Sequence, residues 1–291
     1  MKLFITGATG GLGKKLIPKL NSETYDLTLL SIDQADPFKQ KNAKIITADL
    51  LAPEKYQEYL TDIDTLIHFA AVTHTNDEKL YYRINTEGTR LLVKAAQKAK
   101  VGRFIFISTR AIGEKGGAYS NSKRLAEEIV KNSGLLWTIV RPAEVYGVTE
   151  GEAITKLIKN IKKMPIIPII GKGNYKIAPV YIDDVINALL KIIKNNDLVG
   201  KIYTLAGPNE FSYLEFVNKV LEIKKTRKIK VKIPLHLLRL IAFMCALLRI
   251  KNPPLVKDQL PRLIIEKSAD ISLAKQDLDY EPAAIDQFIS G

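Results

Sequence analysis

Cysteine and histidine are scarce in this chain, which argues against disulfide-stapled and metal-centred folds. The one cysteine among 291 residues is Cys245, so neither an internal disulfide nor a cysteine metal cluster can form. The histidines are His68, His74 and His236, and their spacing matches no zinc motif, so we predict no metal site. A single cysteine fits a reducing compartment, and we predict a cytoplasmic protein. The first residues lead directly into an apolar strand, which predicts that no signal peptide is present.

The chain also lacks a hydrophobic run of membrane-spanning length. In the apolar segment 234–250, the longest uncharged run is 240–248, and an arginine bounds it on each side. A transmembrane helix needs about 20 apolar residues. We therefore predict a buried helix of a C-terminal cap. The alternative is a helix at a membrane interface, with the preceding lysines facing anionic lipid.

Acidic residues are in deficit, so a nucleic-acid partner has to be considered. The chain has 44 Lys and Arg against 31 Asp and Glu, which gives a net charge of +13. The densest basic stretch, 219–232, holds seven basic residues and one acid. It contains no aromatic residue, whereas proteins that bind single-stranded nucleic acid stack bases on aromatic side chains. We predict a solvated helix end and edge strand, with no nucleic-acid partner.

The chain opens with a short apolar strand that runs into three evenly spaced glycines. Residues 3–5 precede Gly7, Gly10 and Gly13. This spacing permits a tight turn, a close approach of backbone to a pyrophosphate, and packing of the next helix on the strand. The N–H groups at the start of that helix would face phosphate oxygens. The sequence therefore predicts a dinucleotide-binding turn.

A carboxylate stands at the distance from this turn that a dinucleotide requires. The apolar stretch 27–32 ends in Asp33, twenty residues after Gly13. A carboxylate there can accept both hydroxyls of an adenosine ribose, and it repels a 2′-phosphate. Asp33 therefore predicts NAD in preference to NADP, with a solvated carboxylate at a strand end as the alternative.

Further apolar strands alternate with helical segments such as 86–99. The predicted strands, in chain order, are 3–5, 27–32, 44–48, 65–71, 103–107 and 137–140. This alternation predicts an α/β fold with a Rossmann-type, doubly wound parallel sheet. With 46% hydrophobic and 26% charged residues, the chain is globular and can bury one large and one smaller core.

A tyrosine and a lysine four residues apart follow the fifth predicted strand. Tyr119 and Lys123 would lie on one face of a helix. A free tyrosine has a pKa of about 10, and a nearby ammonium lowers that pKa. Ser108 ends the strand, at the sheet edge where ligands bind, and its hydroxyl can hold a carbonyl oxygen. The three residues predict proton transfer beside a hydride-transfer cofactor.

These motifs together resemble the extended or atypical branch of the short-chain dehydrogenase/reductase superfamily, the NAD-dependent epimerase/dehydratase family. The motifs that match, in chain order, are 6–13, Asp33, 49–50, 68–71, Asn85 within 84–89, Ser108, Tyr119 with Lys123, 141–147 and 180–185. The likeness spans residues 1 to about 206 and persists more thinly at 202–208 and 273–282.

The resemblance implies NAD as the cofactor and a role for each matched residue. Ser108, Tyr119 and Lys123 would be the catalytic triad. The residues implied to bind the cofactor are Gly7, Thr9, Gly10, Gly11, Leu12, Gly13, Asp33, Asp49, Leu50, Ala70, Ala71, Asn85, Lys123 and Pro142. Within that set, Asp49 would hold the adenine amino group and Pro142 would lie near the nicotinamide, while the Ala70–Ala71 pair would pass beneath the cofactor.

Three departures from the sugar-nucleotide epimerases of this branch weigh against a UDP-sugar. The stretch between Ser108 and Tyr119 is short, and Glu144 stands where those enzymes often carry an asparagine that contacts the diphosphate. The usual arginine before Val180 is missing, although Lys176 is close to that place. Segments 178–185 and 253–259 look more like atypical members, which include a non-catalytic accessory subunit of respiratory complex I.

The sequence therefore predicts an enzyme with two parts. Residues 1–145 with 179–206 would form the dinucleotide-binding domain, and 146–178 with 207–291 a small substrate cap. The predicted activity is an NAD(H)-dependent oxidoreductase or epimerase on an alcohol or ketone centre, with a nucleotide sugar as the expected substrate. The direction of reaction stays open, as does a homodimer. The alternative is a non-catalytic nucleotide-binding protein with an assembly role.

Overall fold

The computed structural model of the chain describes residues 1–20, 24–32, 43–147, 153–248 and 257–289. The described strands, in chain order, are β1 (Lys2–Thr6), β2 (Asp26–Ser31), β3 (Ala43–Thr47), β4 (Thr65–His68), β5 (Arg103–Ile107), β6 (Trp137–Pro142), β7 (Val145–Tyr146), β8 (Ile166–Ile170), β9 (Lys176–Ile177), β10 (Val180–Tyr181), β11 (Lys201–Leu205), β12 (Phe211–Ser212) and β13 (Ile229–Ile233).

Helices separate most of these strands. In chain order they are α1 (Gly11–Leu16), α2 (Glu78–Tyr81), α3 (Thr89–Lys98), α4 (Gly117–Lys131), α5 (Ala153–Asn160), α6 (Ile182–Lys194), α7 (Tyr213–Ile223), α8 (Leu235–Leu247), α9 (Gln259–Ile264), α10 (Ser272–Leu278) and α11 (Asp286–Ile289). A π-helical segment, Tyr82–Gly88, joins α2 to α3. The helix predicted at 86–99 therefore begins in a wider turn than an α-helix.

The main sheet of the described chain has seven strands in the order β11-β6-β5-β4-β1-β2-β3. Every neighbouring pair in it is parallel. The chain steps from β1 outward to β2 and β3, then crosses to β4 on the other side of β1. That reversal between β1 and β4 is the place where doubly wound sheets bind dinucleotides, at the carboxyl ends of the strands.

Both faces of this sheet are covered, as a parallel sheet requires. In β1 the side chains of Leu3 and Ile5 join one buried cluster, which includes α1 and α6, whereas Phe4 joins another with α3 and α4. Neighbouring residues in a strand point to opposite faces. The side chains on both faces of β1 are thus buried, which explains why its sequence is a continuous apolar run.

A third buried cluster lies outside the main sheet. It joins β8 to α5 and α7, with Ile167, Ile169 and Phe216 fully buried. β13 pairs with β8 to make a separate two-stranded parallel sheet. Because this cluster lies outside the main sheet, we propose the division into two domains that the sequence predicts. Residues 146–178 and 207–291 would form the smaller domain.

The prediction that the apolar segment after residue 234 is a buried helix is wrong for most of α8. Its buried residues are Leu238, Ala242 and Cys245, whereas Leu240 and Leu247 are exposed. The helix is apolar around most of its circumference, so the sequence marks no face as the inner one. Among the described residues, no helix combines the length and the hydropathy needed to cross a bilayer.

Candidate active site

The glycine turn lies directly against the segment that follows β4. Gly7 has a φ of +71°, and a Cβ on it would come within 2.5 Å of the backbone nitrogen of Ala70. A Cβ on Gly13 would collide with the carbonyl of Ala8. Both positions therefore require glycine, and the turn and the Ala70–Ala71 pair lie side by side at the β1–β4 reversal.

This turn is open where a phosphate would lie. Helix α1 begins at Gly11, and no side chain caps its N-terminus. Thr9 and Leu12 are half-buried, while Gly10 and Gly11 are exposed. The first N–H groups of a helix lack partners within the helix, so backbone donors are available beside a cradle too narrow for side chains. These residues fit the pyrophosphate of a dinucleotide.

The residues predicted to hold the adenosine are described only in part. Asp33 lies outside the described residues, so its role stays a prediction. Asp49 is exposed two residues beyond β3, where Oδ1 accepts a hydrogen bond from the Leu51 N–H at 2.9 Å. Leu50 is buried against Gly88, the residue before α3. The exposed Asp49 is thus followed at once by a residue that is packed in the core.

The side chain of Asn85 forms hydrogen bonds to the segment after β4 and to α4. Its side-chain Oδ1 accepts from the Val72 N–H at 2.8 Å, and Nδ2 donates to the Val72 carbonyl at 3.0 Å and to Ser122 Oγ at 3.1 Å. The amide therefore joins the loop after Ala71 to α4. Its predicted contribution to cofactor binding would be made by positioning this loop.

Lys123 reaches the end of β5 at the residue before Ser108. The Lys123 Nζ donates to the carbonyl of Ile107 at 2.8 Å, so the amine lies against the residue that precedes Ser108. The Ser108 hydroxyl is buried, and it has no hydrogen-bond partner among the described residues. A buried hydroxyl without a partner is costly. An oxygen of a bound molecule would supply the missing hydrogen bond.

Lys123 is held in an apolar environment. Its side chain is fully buried, and Nζ lies 4.0 Å from the centre of the Phe106 ring. Burial lowers the pKa of Lys123 to about 7, although Glu127 opposes the shift. Ammonium and amine are therefore both populated near neutral pH in the cofactor-free protein. The predicted effect of Lys123 on Tyr119 depends on which form is present.

Tyr119 is half-buried one helical turn before Lys123 on α4. Its ring meets that of Tyr81 edge-on, with 5.8 Å between the centroids. The guanidinium of Arg262 lies 4.8 Å from the Tyr119 ring centre. A cation so placed interacts favourably with the aromatic face, and it adds a positive charge near the phenol.

The C-terminal segment that contains α9 contacts the start of α4 and the loop after β4. The sequence did not predict these contacts. Asp258 Oδ1 accepts from the Tyr119 N–H at 3.2 Å. Arg262 donates to the Thr73 carbonyl at 3.0 Å, and Gln259 Nε2 lies 2.7 Å from His74 Nε2. The only sequence signal was the likeness of 253–259 to atypical members. It indicated neither the partner nor the contact.

Glu144 is surrounded by cations instead of facing the cleft alone. Its carboxylate accepts from Arg110 Nη2 at 2.7 Å and from Lys267 Nζ at 3.0 Å. The Ala178 N–H donates to the same carboxylate at 3.1 Å. Burial by itself would raise the pKa of Glu144, but the two cations outweigh it and the pKa lies below its usual value. A lone carboxylate here would repel a diphosphate, and Arg110 and Lys267 largely offset that repulsion.

His68 has a structural environment. Its Nδ1 lies 2.6 Å from Thr6 Oγ1 and its Nε2 lies 2.9 Å from Thr89 Oγ1. Burial, and then the charge of Lys123, hold the pKa of His68 well below its usual value. Within the described ranges, no group of three or more His, Cys, Asp or Glu side chains could hold a metal ion.

A family model agrees with this geometry. The model of the NAD dependent epimerase/dehydratase family matches residues 3–206. The chain belongs to this family. The predicted family and the Rossmann-type fold are thereby confirmed.

Two sequence relatives of this epimerase/dehydratase family member are named for lipid substrates. The chain is 28% identical to the ceramide reductase of Caulobacter vibrioides over 62% of its own length and 57% of that protein. It is 21% identical to the decarboxylating sterol-4-alpha-carboxylate 3-dehydrogenase of Mus musculus, over 89% of this chain and 78% of that protein. The chain thus spans little more than half of the first relative.

Two solved structures of enzymes named for nucleotide sugars share the fold. A dTDP-glucose 4,6-dehydratase from Streptomyces venezuelae, with NAD bound, has a TM-score of 0.78 at 18% identity, covering 100% of this chain and 95% of that one. A UDP-glucuronic acid 4-epimerase from Bacillus cereus, with UDP-glucuronic acid and NAD, has a TM-score of 0.77 at 23% identity, covering 99% and 96%. At these identities the likeness shows the fold.

Proposed function

We propose that this family member moves a hydride between NAD(H) and an alcohol or ketone centre, with Ser108, Tyr119 and Lys123 as its catalytic residues. The observation that supports this most directly is the buried Ser108 hydroxyl, which lacks a partner among the described residues and follows Ile107, whose carbonyl accepts from the Lys123 amine. A non-catalytic nucleotide-binding protein would have no need of this arrangement.

The chemistry follows from what these side chains can donate and accept. The Ser108 hydroxyl donates a hydrogen bond to the substrate oxygen and keeps it near Tyr119. For oxidation, the phenolate oxygen of Tyr119 would take the hydroxyl proton and become the phenol, as the substrate carbon loses its hydride and becomes a carbonyl carbon. NAD supplies the hydride acceptor. In the ammonium form, Lys123 favours the phenolate that this proton transfer requires.

The substrate we propose first is a nucleotide sugar, the class predicted from the sequence. Arg110 and Lys267 offset the charge of Glu144, so this part of the cleft is compatible with a diphosphate. The solved neighbours named for dTDP-glucose and UDP-glucuronic acid support the same class.

The second candidate is a lipid alcohol or ketone. Both sequence relatives described above are named for such substrates, a ceramide and a sterol. The exposed apolar side chains of α8 favour this class, because an enzyme of membrane lipids has to reach its substrate at a membrane.

The test is to incubate the purified protein with NAD⁺ or NADH and two substrate panels, one of UDP- and dTDP-sugars and one of sphingoid and sterol alcohols and ketones. NADH absorbance detects net oxidation or reduction. Chromatography of the products detects epimerisation, which returns the hydride and leaves no net NADH. We expect turnover in one panel and its loss in Tyr119→Phe. Turnover in neither panel would contradict the proposal.

A further inference from the structure

Helix α8 carries an apolar surface that the rest of the described chain leaves exposed. Leu240, Phe243 and Leu247 have 56%, 57% and 63% of their surface accessible. The other exposed apolar residues of this segment are Leu237, Ile241, Met244 and Leu248. Surface helices normally turn polar residues outward, and a contiguous apolar patch marks an interaction site.

The helix is anchored by its opposite side. Leu238, Ala242 and Cys245 are buried, and their spacing places them along one stripe of a helix. By the same periodicity, Leu240, Phe243 and Leu247 lie on the side away from that stripe. The outer residues are therefore not needed to hold α8 on the protein, and another partner must account for their apolar character.

The chain segment that leads into α8 is exposed and positively charged. β13, which is followed closely by α8, alternates exposed Lys230 and Lys232 with exposed Ile229 and Val231. From residue 224 to residue 248 the sequence contains no carboxylate and seven Lys or Arg. An apolar helix face that follows a basic segment without acids is complementary to a partner with an apolar interior and an anionic surface.

We propose that α8 and β13 dock this protein on a membrane that contains anionic lipid. α8 would lie along the interface, with Leu240, Phe243 and Leu247 among the acyl chains and the lysines of β13 at the headgroups. A second copy of this chain is a poorer occupant, since pairing the same patch with itself would bring two basic segments together. The inference goes beyond the proposed function and does not depend on it.

The experiment is co-sedimentation of the full chain with two kinds of vesicle, phosphatidylcholine alone and phosphatidylcholine with one third phosphatidylglycerol. We expect binding to the anionic vesicles at low salt, weak binding to the neutral ones, and release as salt is raised. Replacing Leu240, Phe243 and Leu247 together by Gln should weaken binding by about 100-fold. Leu136→Gln, at an apolar residue 58% exposed elsewhere, is the matched control and should bind like the parent.

A second set of variants tests the contribution of the β13 lysines to binding and leaves the sequence of α8 unchanged. Lys230→Gln with Lys232→Gln should lower the binding constant for anionic vesicles by about 30-fold at low salt. The control is Lys94→Gln with Lys98→Gln, two exposed lysines of α3, which should have little effect. Vesicle binding that is absent, or unchanged in both the α8 and β13 variants, would overturn the proposal. So would a dimer in solution that the α8 variant converts to monomer.

Discussion

At the scale of single residues, Tyr119 is the most direct test of the proposed chemistry. Tyr119→Phe removes the proton and keeps the ring that Tyr81 and Arg262 contact. Loss of a general acid–base group costs about 10²–10⁴-fold in rate. We expect that loss in kcat with NADH affinity unchanged, measured by steady-state kinetics and fluorescence titration. Tyr82→Phe is the control, since its phenol contacts Asn121 at the surface. A Tyr119→Phe protein as fast as the parent would exclude the assigned role.

Lys123 makes a separate prediction about stability and pH. Burial lowers its pKa to about 7 from an ordinary value of 10.5. Between these values the unfolded chain binds one more proton than the folded chain, so the folded chain gains stability as pH rises through that window. Lys123→Met abolishes this titration. The difference in unfolding free energy, parent minus variant, should therefore increase from pH 7 toward pH 10.

Urea denaturation of the cofactor-free protein at a series of pH values measures this difference. Lys94→Met, at an exposed residue of α3, is the control and should leave the pH dependence of the parent unchanged. An identical slope for the parent and Lys123→Met would show that the folded protein keeps Lys123 charged throughout the window.

The sequence predicts the motif residues but not the distant residues that contact them, and the reason is physical. Ser108, Tyr119 and Lys123 are identifiable because they occupy set places relative to a strand and a helix turn. Arg262 reaches Tyr119 from 143 residues further along the chain. No periodic pattern encodes such a contact, because it depends on how a distant segment returns to the cleft.

At the scale of secondary structure, α4 depends on a carboxylate from outside its own sequence. No side chain next to α4 caps its N-terminus. Asp258 is buried there and accepts from the Tyr119 N–H, in the way that an N-cap residue would. Asp258→Ala should cost about 1 kcal/mol of unfolding free energy and also lower kcat, because the first turn of α4 carries Tyr119. Asp258→Asn keeps an acceptor oxygen and should recover much of both.

A matched control lies at α7. Ser212 caps that helix through the Glu215 N–H, and Glu215 accepts from the Ser212 N–H in return. Ser212→Ala should cost a similar free energy of unfolding and leave kcat unchanged. Urea denaturation and kinetics on the same samples separate the two effects. A kcat loss of equal size in both variants would mean that general destabilisation, not the positioning of Tyr119, explains the result from Asp258.

The elements themselves differed in how well the sequence specified them. The first six strands of the main sheet were located because short apolar runs alternate with helical segments. The sequence of α8 predicts a core helix because its apolar residues surround the helix. Hydropathy alone cannot separate a buried helix from one that binds another apolar phase. The basic stretch 219–232 before it, with seven basic residues and one acid, is the sequence signal for the second interpretation.

At the scale of the whole molecule, the predicted sheet and the position of its cleft follow from chain order. Alternation of strands and helices fixes a parallel sheet, and right-handed crossovers leave few ways to arrange it. The third buried cluster could not be placed in this way. Its strands β8 and β13 are 58 residues apart in the chain and pair with each other, away from the main sheet.

Cofactor choice gives a prediction for the stability of the whole protein. A ligand that binds only the folded chain raises the unfolding free energy by about 2.7 kcal/mol at a concentration 100 times its Kd. We expect NADH to bind at least about tenfold more tightly than NADPH, and hence to give about 1.4 kcal/mol more stabilisation at equal saturating concentrations. The reason is repulsion between the predicted Asp33 carboxylate and a 2′-phosphate.

Thermal unfolding with each cofactor, at matched concentrations, measures this preference without a known substrate. Asp33→Ala should narrow the gap between NADH and NADPH by removing the repulsion and the acceptor for the ribose hydroxyls. Asp26→Ala is the control. Asp26 begins β2, whereas Asp33 is predicted from the sequence to follow the end of that strand, so this variant should keep the parent's preference. Lys14 and Lys15 follow the glycine turn and could attract a 2′-phosphate. Equal stabilisation by both cofactors in the parent would mean that their charge outweighs that of Asp33.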